Sequence, residues 1–492
     1  MDYWQDTFGH PGPDRVALIV SILSVGTFVG ALSAGYVSDK LGRKYGIIIS
    51  AMIPFNLGVA LQTAATEQTM FILGRLFAGF GVGLISAQVP MYQSETLPKW
   101  IRGAVVGCYQ LCITIGLFLA SIVSYATKNR TDSGSYRIPL AIQFAWGLIL
   151  CGGLLFLPET PRYLVKVGKD SKALKSLVFL RRLPENDPHV IAELEDIKAN
   201  YEYEKSLGSA SYAECFRGNM GKRTLTGITL QSLQQLVGIN FIVSHIFSNF
   251  AETRLTIFQI YYGTSYFAEN VQQLPDAFIL QVIINLVNVF MTLPGLWSID
   301  RFGRRPVLLV GALGMGTCQF LVAIMGVATN TTQNYASAVA QFVFLCIYVS
   351  FFASTFGPAA WVVTGELFPL KTRAKCLSMT TAANWFFNWL LSFITPYLTS
   401  ALEPTQSNVF WIWGSFAWIA VFFVWFFIYE TKDMTLEQVN ELYNHESKAW
   451  KSPGYRQQIR QASIAAHSER GYSVSDEKED KPTRAQSIEH AA

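Results

Sequence analysis

Charge is what this 492-residue chain has little of: 15% of its residues are Asp, Glu, Lys or Arg, against about 25% in an average soluble domain. Hydrophobic residues make up 51%, and the mean hydropathy is +0.28. Such a balance excludes an ordinary soluble globule and points to an all-α chain that crosses a lipid bilayer many times. Net charge is also small, at +4, which gives no basis for a nucleic-acid partner; the basic residues matter by position instead. No His, Cys or carboxylate constellation gathers where chemistry could be organised, so the expectation is no enzyme, no cofactor and no metal. The seven cysteines are scattered. Six of them (Cys108, Cys112, Cys151, Cys318, Cys346, Cys376) fall within apolar stretches, and no disulfide framework is indicated. No secretory signal with a cleavage site precedes the first apolar run.

Long apolar runs are what the chain has instead. Segments of about 20 residues, enough to cross hydrocarbon, recur near 15–37, 46–66, 69–91, 103–126, 137–157, 226–267, 275–299, 306–328, 336–364, 374–398 and 408–429, eleven in all. The expected division is a transmembrane half over 1–157, a cytoplasmic linker with short helices over 158–224, a second transmembrane half over 225–443, and a disordered cytoplasmic tail over 444–492. Three motif pairs relate the halves. Asp39-Lys-Leu-Gly-Arg43 echoes Asp300-Arg-Phe-Gly-Arg304; Glu95, Pro98 and Arg102 recur as Glu366, Pro369 and Arg373; Pro158-Glu159-Thr-Pro-Arg162 echoes Tyr429-Glu430-Thr-Lys432. A parallel duplication explains them, with two six-helix halves enclosing a midplane site. The first half then lacks its opening helix, expected before Arg15. Lys40, Arg43, Lys44, Arg102, Arg301 and Arg373 share one side, which the positive-inside bias makes cytoplasmic. The sequons Asn129-Arg-Thr131 and Asn330-Thr-Thr332 fall on the opposite face.

The segment from Gln231 to Ser265 carries Gln234, Gln235 and Asn240 among apolar residues. Neutral amides donate and accept at once, which suits a polyhydroxylated solute. The competing reading is that they bond neighbouring helices.

Taken together, these motifs resemble the sugar porter branch of the major facilitator superfamily, and within it the fungal hexose transporters. The resemblance covers Asp2 to about Tyr443. It rests on Gly74-Arg75 with Gly79, Gly81 and Gly83; on Tyr92-Gln-Ser94-Glu95 through Pro98 to Arg102-Gly103; on Pro158-Glu-Thr-Pro-Arg162; on Gln234-Gln235-Leu-Val-Gly-Ile-Asn240; and on Gly365-Glu366-Leu-Phe-Pro369 to Arg373. It implies the major facilitator fold. It also implies that Gln110, Gln234, Gln235, Asn240, Asn288, Asn384 and Trp385 hold sugar hydroxyls, with Trp361 and Asn388 lining the same cavity. Ala353 stands where some relatives have an acidic residue, and Phe356 where the fungal members usually have tryptophan.

The charged motifs suggest a gate. Arg75, Glu95, Arg102, Glu159 and Arg162, with Glu366, Arg373 and Glu430 in the other half, are expected to cluster at cytoplasmic helix ends, joined by Asp39, Arg43, Asp300 and Arg304. Ion pairs there can latch one state of the carrier and separate in the other. The plainer reading is that positive loops fix orientation, and for the loop residues it is partly true. The expected function is monosaccharide transport, a hexose such as glucose, by alternating access across the plasma membrane. Facilitated diffusion and proton symport both stay open, and the expected partners are a small-molecule sugar, with or without a proton, and the lipid bilayer. The chain is read as a monomer. The rivals are a sugar sensor on the same fold and a chain that carries nothing because its gene model is faulty.

The third rival arises from residues 243–259, where His245, Asn249, Glu252 and Arg254 interrupt the apolar run. Removing these 17 residues (259−243+1) joins Asn240-Phe-Ile242 to Ile260-Tyr261-Tyr262-Gly263-Thr264-Ser265 in frame and restores the family's pattern. Val243-Ser244 can be encoded by GTAAGT, Leu255-Thr256 by a branch-point sequence and Gln259 by CAG, so the insertion reads as a translated intron. The alternative is a loop in a discontinuous helix, but Glu252 and Arg254 near the midplane would each cost about 2.5–3.5 kcal/mol unless paired. Sequencing of the spliced transcript is expected to show the corresponding 51 bases (17 × 3) removed. Retention in most messages, or genomic ends lacking GT and AG, rules the intron out.

Overall fold

Hydrocarbon offers main-chain N–H and C=O groups no water, so each long apolar run closes its own hydrogen bonds as a helix. The computed structural model describes residues 7–9, 13–98, 101–127, 129–206, 211–240, 277–328, 335–369, 371–401, 408–434, 436–445, 448–455 and 458. The first half holds α1 (Pro13–Leu41), α2 (Arg43–Ala64), α3 (Gln68–Thr96), α4 (Arg102–Thr127) and α5 (Gly134–Leu155). The linker holds α6 (Pro161–Lys166), α7 (Asp170–Arg181) and α8 (Pro188–Ser206). The second half holds α9 (Gly218–Leu236), α10 (Ala277–Phe302), α11 (Arg304–Ala328), α12 (Tyr335–Ser354), α13 (Phe356–Leu367), α14 (Arg373–Ala401) and α15 (Val409–Phe427), and α16 (Leu436–His445) follows.

Among the described residues, nine helical stretches are long and apolar enough to cross a membrane, α12 and α13 counting as one. Two of the eleven expected spans are not among these nine. One is α14, helical throughout 373–401 but carrying Thr380, Thr381, Asn384 and Asn388 on faces turned inward. The other was expected over 226–267; α9 ends at Leu236, and 241–276, including the expected insertion at 243–259, lie outside the described residues. Of the two sequons, Asn129 is exposed between α4 and α5, and Asn330 also lies outside them.

Prolines shape two helices. In α2, Pro54 cannot donate to the Ser50 carbonyl, and the backbone widens into a π turn over Ala51–Phe55. Pro358 has the same effect on the Ser354 carbonyl; the backbone breaks at Thr355, separating α12 from α13.

The halves meet along α1 with α14 and α4 with α10, while α13 also packs on α4. The linker helices form their own small core around Leu164, Ala173, Leu177, Val190 and Ile197. That bundle is tied to the cytoplasmic end of α3 by Arg181, which donates to the Thr96 carbonyl at 3.1 Å and grips Glu193.

Two boundaries differ from expectation. The linker's polar composition suggested an end at 224, yet α9 starts at Gly218, because Arg223 is buried by donating to Asn440 and stacking on Tyr443. The tail was expected to be disordered from 444. Instead residues 448–455 dock: Ala449–Lys451 form a 3₁₀ turn, Trp450 meets the edge of Phe426, and buried Ser452 accepts the Glu430 N–H at 2.9 Å. Ser452→Ala should lose a hydrogen bond of about 0.5–1.5 kcal/mol. Limited proteolysis of the purified protein is expected to cut between 445 and 458 faster in that variant than in the parent.

Candidate functional site

A cavity of about 300 Å³ opens between the halves, at the small end of the roughly 300–1,000 Å³ common for small-molecule sites. Gln110, Gln234, Gln235, Asn240, Asn288, Trp361, Asn384, Trp385 and Asn388, all the residues the motifs nominated, line this one space. They come from α4, α10, α13, α14 and the end of α9. Tyr109, Ser24, Phe352 and Arg75 line it as well. Tyr109 was legible only as the neighbour of Gln110, and Ser24 gave no signal, since its partner Asn388 is 364 residues away in sequence.

The amides bond one another. Gln235 Nε2 donates to Asn384 Oδ1 at 2.9 Å, and Asn384 Nδ2 donates to the Oε1 atoms of Gln231 and Gln234, both at 2.7 Å. Asn240 Nδ2 donates to Gln235 Oε1. Gln234 Nε2 is spent on the Phe356 and Gly357 carbonyls beside the helix break. Both readings of the amides therefore describe real contacts: Gln234 braces helices, while Gln235, Asn240 and Asn384 form a chain that a solute can enter by exchange. Asn288 Oδ1 is buried with no hydrogen-bond partner among the described residues. Among the described residues Arg75 is the one charged side chain lining the cavity; the amides around it suit a solute rich in hydroxyls, with indole faces for its apolar surface.

At the cytoplasmic ends each half carries the same clamp. Arg43 Nη2 pairs with Glu95 at 3.0 Å, and Thr160 Oγ1 donates to the other Glu95 oxygen at 2.8 Å. Arg304 pairs with Glu366 at 2.8 Å, and Thr431 Oγ1 donates to it at 2.7 Å. Glu159 accepts the main-chain N–H groups of Arg43 and Lys44, just as Glu430 accepts those of Arg304 and Arg305. Each carboxylate thus caps a helix start. Burial pushes the Glu159 carboxyl above its usual range, although its main-chain hydrogen bonds favour the charged form. Gly42 (φ 86°) and Gly303 (φ 99°) precede those starts, where a Cβ would strike the Glu159 and Glu430 carboxylates respectively.

These pairs lie within halves, which refines the expected gate. Contacts between halves are fewer: Asp300 Oδ2 accepts the Ala104 N–H of α4 at 2.9 Å, and Arg373 acts electrostatically on Glu95. Asp39, the counterpart of Asp300, instead holds Lys166 of the linker at 2.7 Å. Arg102 and Arg373 donate to the carbonyls of Leu97 and Phe368, closing the loops before α4 and α14. Arg162 sits half-buried on α6. Arg75 departs from expectation. It precedes Glu95 by 20 residues (95−75) on α3, about 30 Å along a helix, and lines the cavity rather than joining the cytoplasmic charges.

A family model described as sugar (and other) transporter matches residues 12–443. The chain belongs to the sugar porter family of the major facilitator superfamily. As a sugar porter it is a multi-pass membrane protein and not an enzyme. It is 52% identical over 464 residues to the major facilitator-type transporter ecdD of Aspergillus rugulosus, covering 90% of this chain and 82% of that one. It is 42% identical to the probable glucose transporter rco-3 of Neurospora crassa, covering 91% of this chain and 74% of that one. It is also 40% identical to the high glucose sensor RGT2 of Saccharomyces cerevisiae, with coverage of 92% and 57%. Among solved structures, the proton:xylose symporter XylE bound to 6-bromo-6-deoxy-D-glucose superposes with a TM-score of 0.73 at 25% identity, covering 87% of this chain and 89% of XylE.

The clamps of this sugar porter make a stability prediction. Arg43→Ala leaves Glu95 buried without its guanidinium, and Glu366→Ala strands Arg304; breaking a buried pair costs about 3–5 kcal/mol. Thermal unfolding in detergent should show a lower midpoint for both single variants.

Proposed function

We propose that this sugar porter carries a hexose such as glucose across the plasma membrane by alternating access, through eleven spans arranged as two halves over 1–157 and 225–443. One observation carries the reading: neutral amide and indole groups from both halves line a single cavity, while the cytoplasmic ends beneath it meet in buried contact. Glu95 has no exposed side-chain surface, and Ser94 beside it is buried against Gly365 of the other half. Uncharged donors and acceptors match sugar hydroxyls, and a site shared between two halves is exposed to either side by rocking one against the other. The cytoplasmic charges bias that motion rather than bind the cargo. Similarity to ecdD and rco-3 supports transport, whereas similarity to RGT2 keeps a sensor reading in view.

Uptake separates the two. Expressed in corrected full-length form, without residues 243–259, in cells that lack their own hexose transporters, the protein should restore growth on glucose and uptake of radiolabelled hexose; specific sugar binding without uptake would support the sensor. Collapsing the proton gradient in the same cells tells symport, where uptake falls, from facilitated diffusion, where it persists. Gln235→Ala and Asn240→Ala each remove a hydrogen-bonding amide worth roughly 0.5–1.5 kcal/mol and should raise the KM for hexose roughly two- to tenfold at normal surface levels. Unchanged kinetics would remove these residues from the sugar site.

A further inference from the structure

Ser86 lies on α3, ten residues (96−86) from its cytoplasmic end, and is 1% exposed. Its hydroxyl has one proton and two lone pairs to use. Oγ donates to the Gly83 carbonyl at 2.8 Å and accepts the Trp385 indole Nε1–H at 3.0 Å. Tyr109 also lies beside Ser86. The Tyr109 ring in turn meets Trp361 edge-on, with centroids 4.8 Å apart. Four side chains thus run Trp361–Tyr109–Ser86–Trp385, the middle two from one half and the outer two from the other. Tyr109 and both indoles line the cavity; Ser86 lies behind them.

We propose that Ser86 is the positioning residue of the inner gate: it holds the Trp385 N–H of the opposite half while the cytoplasmic side is closed and surrenders that N–H as the halves part. The inference deepens the sugar-carrier reading of the cavity and rests on it for the identity of the competing ligand. With the cytoplasmic side closed, Trp385 offers a solute its ring face but not its proton. When α3 and α14 separate, the indole N–H loses its acceptor, and a hydroxyl-bearing solute in the cavity can supply one. Ser86 and a sugar therefore compete for one donor, so bound sugar relieves the cost of breaking the latch. A ligand shifts an equilibrium only through such differential contacts.

The test reads conformation directly and needs no transport. A cysteine is placed at Ser94, buried where α3 meets Gly365 of the other half, in the full chain with its seven native cysteines changed to serine. Inside-out vesicles are then exposed to a membrane-impermeant maleimide. Ser86→Ala should speed labelling roughly two- to tenfold, the range expected for one lost hydrogen bond. Trp385→Phe, which removes the donor instead of the acceptor, should do the same, and the double variant should go no further than either single one. Glucose should accelerate labelling in the parent more than in Ser86→Ala. If Ser86→Ala fails to reach the membrane, Trp385→Phe carries the test, since it removes the other atom of the same hydrogen bond. Unchanged labelling in Ser86→Ala and Trp385→Phe, or additive effects in the double variant, would overturn the latch. Faster labelling in a protein that neither binds nor carries sugar would leave the latch standing and sink the sugar reading instead.

Discussion

Polar groups taken out of water must find partners within the protein, and this constraint governs the structure from its cytoplasmic ends to its centre. Arg43, Arg304 and Arg373 are among the largest fully buried side chains, and a lone guanidinium in such surroundings would be prohibitive. The chain meets the demand with whole sets of acceptors. Arg304 uses three nitrogens on Glu366 and the Ile299 carbonyl, and Arg373 uses two on the Phe368 carbonyl. Well-made buried pairs of this kind are weak as sources of stability but costly to break, so their main effect is to fix geometry. Here they hold the loops α1–α2 and α10–α11 against the linker and the start of the tail.

Duplication supplies two such devices, and the differences between them are where the halves acquire separate jobs. In the second half Asp300 reaches across to cap α4, making direct contact between halves. Its counterpart Asp39 turns to Lys166 on α6, so the linker takes part in the first half's clamp. The second half recruits the tail in the same way, since Ser452 accepts the main-chain N–H of Glu430, whose carboxylate caps α11. Segments outside the bilayer therefore reach the clamps of both halves.

Much of this was legible in the sequence because its motifs together resemble a known family. That resemblance nominated amides and indoles on different apolar runs for one site, and all of them line one cavity. What spacing could not show is how they bond. Gln234 looks identical to Gln235 in an apolar run, yet its Nε2 is spent on carbonyls 122 and 123 residues away, in the first turn of α13. Arg75 was grouped with Glu95 because both belong to motifs of the same family, although 20 residues (95−75) of one 29-residue helix separate them. The docked strap at 448–455 escaped notice because polar tail composition averages over a handful of specific contacts, chiefly those of Trp450 and Ser452.

The amide chain also bears on how tightly a sugar can be held. Gln235, Asn240 and Asn384 already bond one another, so an arriving hydroxyl must displace an internal partner before it gains one from the protein. Exchange of this sort returns only a small net free energy per hydrogen bond, whereas an unsatisfied cage would bind far more strongly. Weak binding is what a carrier requires. A solute held tightly in one state of the cavity deepens that state alone and slows escape from it, while modest, exchangeable contacts leave the outward- and inward-facing states close in free energy. Asn288 Oδ1, buried and without a hydrogen-bond partner among the described residues, differs from the amide chain: a hydroxyl donated there displaces no internal hydrogen bond, so the contact helps to select how the solute sits.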